Sequence, residues 1–265
     1  MVQQQPKHWQ LPRGVSRSLW DYAHSRTIAD DYDNYFLFNR LFDLDEQVVL
    51  RHFQVGTNKV VADLGCGTGR ALVPLVRRGL RGIAVDLSAD MLRIVREKAS
   101  AESLPITCVQ ANLAELDGLA GESVDYAMCL FSTLGMIAGT EHRQLAVKHF
   151  ARMLRPRGIL VLHVHNVWFN LHDPGGPWWL MASWLRSLTS SDFEFGDKYF
   201  PYRGIPRMYL HVFRKRELSR LLRRAGLRIV TWHWLNATRG QFLQHPWWFG
   251  SIRASGWIVV AEKAP

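Results

Sequence analysis

Val60-Val61-Ala62-Asp63-Leu64-Gly65-Cys66-Gly67-Thr68-Gly69-Arg70 joins an apolar β-branched run, a turn with glycine at every second position, and the opening of a helical pattern. Glycine permits a tight strand-to-helix turn and lets main-chain N–H groups approach a ligand at the positive end of the helix. Outward from this turn the rhythm repeats. Strands are expected at 60–64, 82–86, 106–110, 124–130 and 159–165, and helical spacing falls between them at 70–78, 89–100 and 141–154. Such alternation predicts an α/β fold, a doubly wound sheet covered by helices on both faces. Further on, Leu218, Leu221, Leu222 and Ala225 share one face of a helix over 214–225, with Gly226 placed to end it. Strands at 228–235 and 256–262 would complete a mostly parallel, seven-stranded sheet.

The flanks differ in character. Residues 1–55 read as an N-terminal extension, with one or two helices between Ser18 and Phe53, ahead of a main domain at 56–265. Within that domain, 166–206 holds Trp168, Trp178, Trp179 and Trp184 among glycines and prolines, so it is not one regular element. It is expected to be an insertion, either a lid over a site or the core of a small helical cap. No stretch reaches the roughly 20 apolar residues of a membrane span, and the opening residues are polar, from which a cytoplasmic location is expected. Cys66, Cys108 and Cys129 stand too far apart for a disulfide framework or a zinc site. The formal charge of +10 favours acidic partners, and nine basic residues between Arg203 and Arg228 face one acid, Glu217.

Two carboxylates sharpen the glycine turn. Asp63 ends the first strand where it would repel a diphosphate but welcome a ligand with a cationic amino group and sulfonium. Asp86 ends the second strand, where a carboxylate can accept from both hydroxyls of a ribose. A nicotinamide-dependent oxidoreductase would prefer Gly-x-Gly-x-x-Gly to the even spacing found here.

From Val60 to Leu162 the chain resembles the class I S-adenosylmethionine-dependent methyltransferases. That resemblance implies a Rossmann-like methyltransferase fold with an antiparallel last strand, and S-adenosyl-L-methionine as cofactor, leaving as S-adenosyl-L-homocysteine. It implies that Asp63, Gly65, Cys66, Gly67 and Gly69 wrap the methionine end, and that Asp86 holds the ribose with Leu87 beside the adenine. Ser88-Ala89-Asp90-Met91-Leu92 is similar to the family's next helix start, which puts Met91 near the base. Asn112 and Leu113 fall where many members carry an aspartate for the adenine amino group. The amide oxygen of Asn112 can still accept that hydrogen bond. Leu130-Phe131-Ser132-Thr133-Leu134-Gly135 resembles the segment that borders the transferring methyl, and Leu154-Arg155-Pro156-Arg157-Gly158 the structural turn before strand five.

For the acceptor side, His165 and Asn166 at the end of the fifth strand are candidates for a general base, and Tyr32 for a residue closing over the cofactor from the N-terminal segment. His163 and His165 on one strand face, followed by His172 and Asp173, make a metal site conceivable, although histidines so placed more often line a pocket or satisfy the backbone, and no metal is expected. The favoured acceptor is a small molecule methylated on nitrogen or oxygen. Arg207-Met208-Tyr209-Leu210-His211 faintly resembles the Arg-Tyr-Tyr-His stretch of methyltransferases acting on tRNA wobble uridines and adjoins the basic 203–228 segment, so RNA is the alternative. A binding protein without turnover is the third.

Overall fold

The computed structural model describes residues 7–37 and 41–265. Its strands are β1 (Val60–Leu64), β2 (Arg81–Asp86), β3 (Ile106–Gln110), β4 (Val124–Cys129), β5 (Leu154–His165), β6 (Asp197–Tyr202), β7 (Ile205–His211), β8 (Leu227–Leu235) and β9 (Gly256–Lys263). Seven of them make one sheet in the order β3-β2-β1-β4-β5-β9-β8, and β6 and β7 pair separately as a hairpin. From β3 to β5 all pairings are parallel, while β9 runs antiparallel between β5 and β8. The strand order reverses at β1, and in open sheets of this kind ligands sit outside the carboxyl ends of the strands at that switch. Asp63 and Leu64 are therefore delivered to the site by topology.

The runs read as near-continuous apolar because both faces of the sheet are covered. Ala62, Leu64, Leu160, Leu162 and Val164 point to one core with Phe150, Leu218 and Trp257. Val61, Val161 and Ile258 point to the other, with Leu44, Val48, Leu72 and Leu92. The helices supplying these side chains include α4 (Leu41–His52), α5 (Leu72–Arg77) and α6 (Ala89–Ala101) on one side, and α8 (Thr140–Met153) and α10 (Lys215–Arg224) on the other.

Three expectations change. Among the described residues, the stretch expected to hold one or two helices between Ser18 and Phe53 carries four α-helices: α1 (Arg17–Ala23), α2 (Arg26–Asp30), α3 (Tyr32–Tyr35) and α4. Ser16 and Ser25 restart the chain as N-caps, their hydroxyls accepting from Leu19 N and Ile28 N, which is what serine does at helix starts. Strand five begins at Leu154, because Leu154 pairs with Val124 before a bulge at Arg155 to Gly158, where Arg157 has a φ of 62°. The anticipated reversal is thus an irregularity inside the ladder. Finally, the insertion does not end at 206. After a 3-10 turn (Val167–His172) and α9 (Gly176–Thr189), it runs through the β6–β7 hairpin to His211. Two short helices remain, α7 (Thr133–Met136) after β4 and α11 (Gly250–Arg253) before β9.

Candidate active site

Past the end of β1 the glycine turn folds back on β2. Val85 O accepts from both Gly65 N (2.8 Å) and Cys66 N (3.0 Å), and Gly67 N donates to Asp86 Oδ2 at 2.8 Å. Gly65 has a φ of 85°, and a Cβ there would collide with Thr133 Cγ2, so both conformation and space demand glycine. The second oxygen of Asp86 accepts from Ser88 N at 2.8 Å. A carboxylate offers about four lone-pair sites, so acceptor capacity remains beside these N–H groups for a diol. Burial raises the Asp86 pKa, against the N–H groups of Ser88, Gly67 and Leu87 that favour its charge.

Asp63 lies beside it, almost wholly buried, with no hydrogen-bond partner among the described residues. Burial first, then the carboxylates of Asp86 and Asp45, pushes its carboxyl up to about 8. An unpartnered buried carboxyl costs stability unless something cationic meets it. This donor set fits an ammonium-bearing nucleoside such as S-adenosylmethionine.

Both residues face a cavity of about 490 Å³. Gly65, Cys66, Gly67, Leu87, Met91, Asn112, Leu113 and Phe131 share its wall. Gly69 stands apart from the other predicted residues. With a φ of 76°, it turns the chain and lets Val73 and Val95 pack closely behind the loop, without lining the cavity. Asn112 lines it but is heavily engaged, as its Nδ2 donates to Arg13 O (2.9 Å) and Glu115 Oε2 (3.0 Å) while Oδ1 accepts from Ala114 N (3.1 Å). One lone pair on that oxygen is all it retains for an adenine amino group.

At the end of β4, Phe131 and Ser132 are consecutive non-glycine residues at positive φ, 53° and 62°. Each costs about 1–2 kcal/mol, strain of a kind that collects at functional sites. The turn holds Phe131 stacked on Phe42, ring centroids 4.9 Å apart, with the Arg70 guanidinium over Phe42 at 4.1 Å.

Several wall residues were not anticipated. Gly14, Val15, Leu19, Tyr22 and Phe42 come from the N-terminal segment, and Phe200, Tyr202 and Tyr209 from the hairpin. The N-terminal segment is pinned over the site at Asn112 and by Asp33, which accepts from Thr68 Oγ1 and Lys98 Nζ, both at 2.6 Å. The capping serines and the run Asp30-Asp31-Asp33 were the available signals.

The three catalytic candidates separate. Tyr32 lies over Gly67 in the cavity wall, and its phenol is pushed up by burial, then by Tyr202 and Asp86, so it stays neutral. Asn166 spends its amide on structure: Nδ2 donates to Ser251 O (2.8 Å) and Ala254 O (2.7 Å), and Oδ1 accepts from Trp168 N (3.1 Å). His165 alone presents chemistry toward the opposite end of the cavity. Burial, then Arg239, His163 and Lys198, lowers its pKa, which leaves a neutral imidazole able to accept a proton. Around it, Lys198 Nζ donates to Asn170 Oδ1 (2.5 Å) and pairs with Asp173 (3.3 Å), while Arg239 has no ion-pair partner among the described residues.

The conceived histidine metal site does not assemble. His163 is buried against Asp45 (Nδ1 to Oδ1, 2.7 Å), and His172 Nε2 faces Ile252 O at 3.3 Å. A different group, Glu194, His211 and Glu217, has ligand-like spacing, but Arg143 holds Glu194 and both His211 nitrogens already face carboxylates. None of the insertion's four tryptophans lines the cavity, whereas Phe169, Phe200 and Tyr202 do. The arginines of α10 point to solvent away from it, and His211 is buried.

This sheet order, with a carboxylate-bordered glycine turn at the switch point, defines the Rossmann-like methyltransferase fold. Among solved structures, the CcbJ methyltransferase of Streptomyces caelestis superposes with a TM-score of 0.62 at 19% identity, over 92% of this chain and 99% of that one. Residues 61–158 match the family described as methyltransferase domain. A protein of Geobacillus sp. (strain WCH70) that bears a methyltransferase's name is 31% identical over 110 residues, 42% of this chain and 44% of its own. Glycine N-methyltransferase of Mus musculus is 30% identical over 161 residues, 55% of this chain and 54% of that one. The chain thus spans about half the length of the curated relatives it matches. Over residues 61–158 the chain is similar to class I S-adenosylmethionine-dependent methyltransferases, whose cofactor suits the turn described above.

Removing the Asp86 carboxylate is expected to weaken S-adenosylhomocysteine binding about tenfold or more, the worth of a charge-assisted hydrogen bond. Calorimetry on Asp86→Ala checks this, and unchanged affinity would take Asp86 out of the site.

Proposed function

We propose that this chain transfers a methyl group from S-adenosylmethionine to a nitrogen or oxygen of a small-molecule acceptor. The observation that carries the reading is a single cavity of about 490 Å³ running from Asp63 and Asp86 to His165, Lys198 and Arg239. A volume of this order suits a small ligand pocket, whereas a polynucleotide asks for an open basic groove.

When bound, the cofactor supplies a methyl group on an activated sulfonium leaving group. The chain's task is then to hold the acceptor atom in line with it, a matter of placement. In this reading Asp63 meets the ammonium, Asp86 the ribose, and Leu87, Met91 and Leu113 enclose the base. Phe131 and Tyr32 keep water from the reacting end. At the far wall, the neutral His165 imidazole takes the proton that a hydroxyl or neutral amine acceptor gives up as its N or O bonds the methyl carbon and sulfur leaves, while Lys198 and Arg239 favour an acceptor bearing a carboxylate or phosphate.

The test is methyl transfer from radiolabelled cofactor to a panel of anionic and neutral amines and alcohols. His165→Ala should slow transfer by about 10²-fold or more while leaving S-adenosylhomocysteine affinity unchanged. An undiminished rate removes the base, and label appearing only in tRNA replaces the small-molecule reading.

A further inference from the structure

Helix α9 wears its apolar side outward. Trp178, Met181, Trp184, Leu185 and Leu188 are exposed, Trp178 to 72% and Leu188 to 66%, while Leu180 and Ser183 pack inward. The outward residues recur at spacings of three and four, which places them on one stripe of the helix. A second exposed group lies before β9, where Trp247 (81%), Trp248, Phe249 (65%) and Ile252 stand in and beside α11. Both α9 and α11 pack on the turn Val167–His172, which adds exposed Trp168 and Leu171 between them. Soluble monomers rarely expose apolar patches beyond a few hundred Å², and five exposed tryptophans on three adjoining elements form a patch of a different kind.

Charge decides which partner suits this face. Residues 174–191 contain Arg186 and no acid, and residues 240–261, which hold the second group, contain Arg253 and no acid. Arg253 lies over the exposed Trp248 ring at 5.0 Å, so a cation borders the second group, and Arg186 stands on α9 itself, over buried Phe193 at 4.4 Å. The nearby acids are Asp173, held by Lys198, and Asp192 and Glu194 beyond the end of α9. No helix is long and apolar enough to cross a membrane, among the described residues. Tryptophan with one wet edge, flanked by arginine, is the chemistry of the bilayer interface, where aromatic rings settle at headgroup depth and basic groups meet anionic lipid.

We propose that α9, the turn Val167–His172 and the segment 247–252 form a face that docks on an anionic phospholipid surface, with α9 lying in the plane of the interface. Its 14 residues span about 21 Å, sufficient to lie along a bilayer and too short to cross one. Phe169 and Asn170 of the same turn line the acceptor end of the cavity, so docking sets that wall beside the lipid.

The experiment is co-sedimentation of the full chain with phosphatidylcholine vesicles containing or lacking phosphatidylglycerol, read together with tryptophan emission. Binding should require the anionic lipid, weaken as salt rises, and bring a blue shift. The double variants Trp178→Ser/Trp184→Ser and Trp247→Ser/Trp248→Ser should each lower partitioning by about tenfold or more. Their S-adenosylhomocysteine affinity and thermal melting should stay unchanged, which keeps this result separate from the fate of the methyltransferase reading. Three outcomes overturn the proposal: a chain that stays in the supernatant with every lipid, variants that sediment as well as the parent, or a dimer in ultracentrifugation that the same substitutions dissolve while vesicles are ignored.

Discussion

Asp63→Asn is expected to weaken S-adenosylhomocysteine binding by about 100-fold at pH 9, and to flatten its pH dependence. In the free protein burial, with Asp86 and Asp45, holds the Asp63 carboxyl at about 8. A cationic amino group needs the charged form, so below pH 8 each binding event must release a proton. Affinity for the parent chain then climbs toward a plateau as pH rises through 8, by up to about tenfold per unit. The asparagine variant, which has no proton to release, should show no such climb. Calorimetry in two buffers of unlike ionisation enthalpy counts that proton directly, and a parent chain that releases none would refute the assignment.

The same carboxyl sets a stability slope of definite sign. Its folded pKa lies above the unfolded value of 3.8, so the folded state holds the proton longer. Its contribution is complete below about pH 4 and is lost as pH rises toward 8. Asparagine keeps the shape and removes the latent charge, so the variant should melt higher than the free parent at pH 8, with the gap closing toward pH 4. A residue that costs the empty fold stability and strengthens the loaded one is what a binding site built from a buried, unpartnered acid implies.

What could be read from the chain follows from how local each signal is. The β1 turn is legible because strand, glycines and acid lie within eleven consecutive residues, and each answers to backbone conformation or nearby charge. The parallel strands are legible because burial on both faces forces unbroken apolar runs. The rest of the cavity wall is not, since Tyr22, Tyr202, Tyr209 and Arg239 are ordinary residues made neighbours only by the fold. The hairpin bearing two of them did carry a signal, since Arg203 and Gly204 both take positive φ, as a tight two-residue turn requires. The insertion's tryptophans divide: Trp179 packs against Val167, Leu180 and Val212, whereas Trp168, Trp178 and Trp184 face outward, although abundance of large apolar residues argues for burial.

Arg143 offers the largest effect outside the cofactor end, and no motif marks it. It is buried on α8, its Nη1 donating to Ile137 O (3.0 Å) and Tyr209 Oη (3.4 Å) and its Nη2 to Glu194 Oε2 (2.6 Å). Next to it Tyr209 Oη donates to Asp197 Oδ1 (2.8 Å), and His211 sits between Asp197 and Glu217, each 2.8 Å away. Four elements meet in this network, which fixes the hairpin whose Tyr209 walls the cavity. Arg143→Met keeps most of the volume but strands Glu194 and a carbonyl, so a loss of about 3–5 kcal/mol is expected, near 6–10 °C in melting temperature. Burial opposes charge on His211, yet its two carboxylate partners hold its pKa above the ordinary value, and Arg143 pulls the other way. Because the folded pKa is raised, the imidazolium's contribution is complete below about pH 6.5 and fades as pH rises through the folded value. Asp197 and Glu217, both lowered against the cost of burial, lose theirs as pH falls below about 4. Taking Arg143 away should therefore move the His211 titration, followed by NMR, to higher pH even as the fold weakens. A titration that stays in place, or a melt within a degree of the parent, would show that the hairpin is held by packing alone.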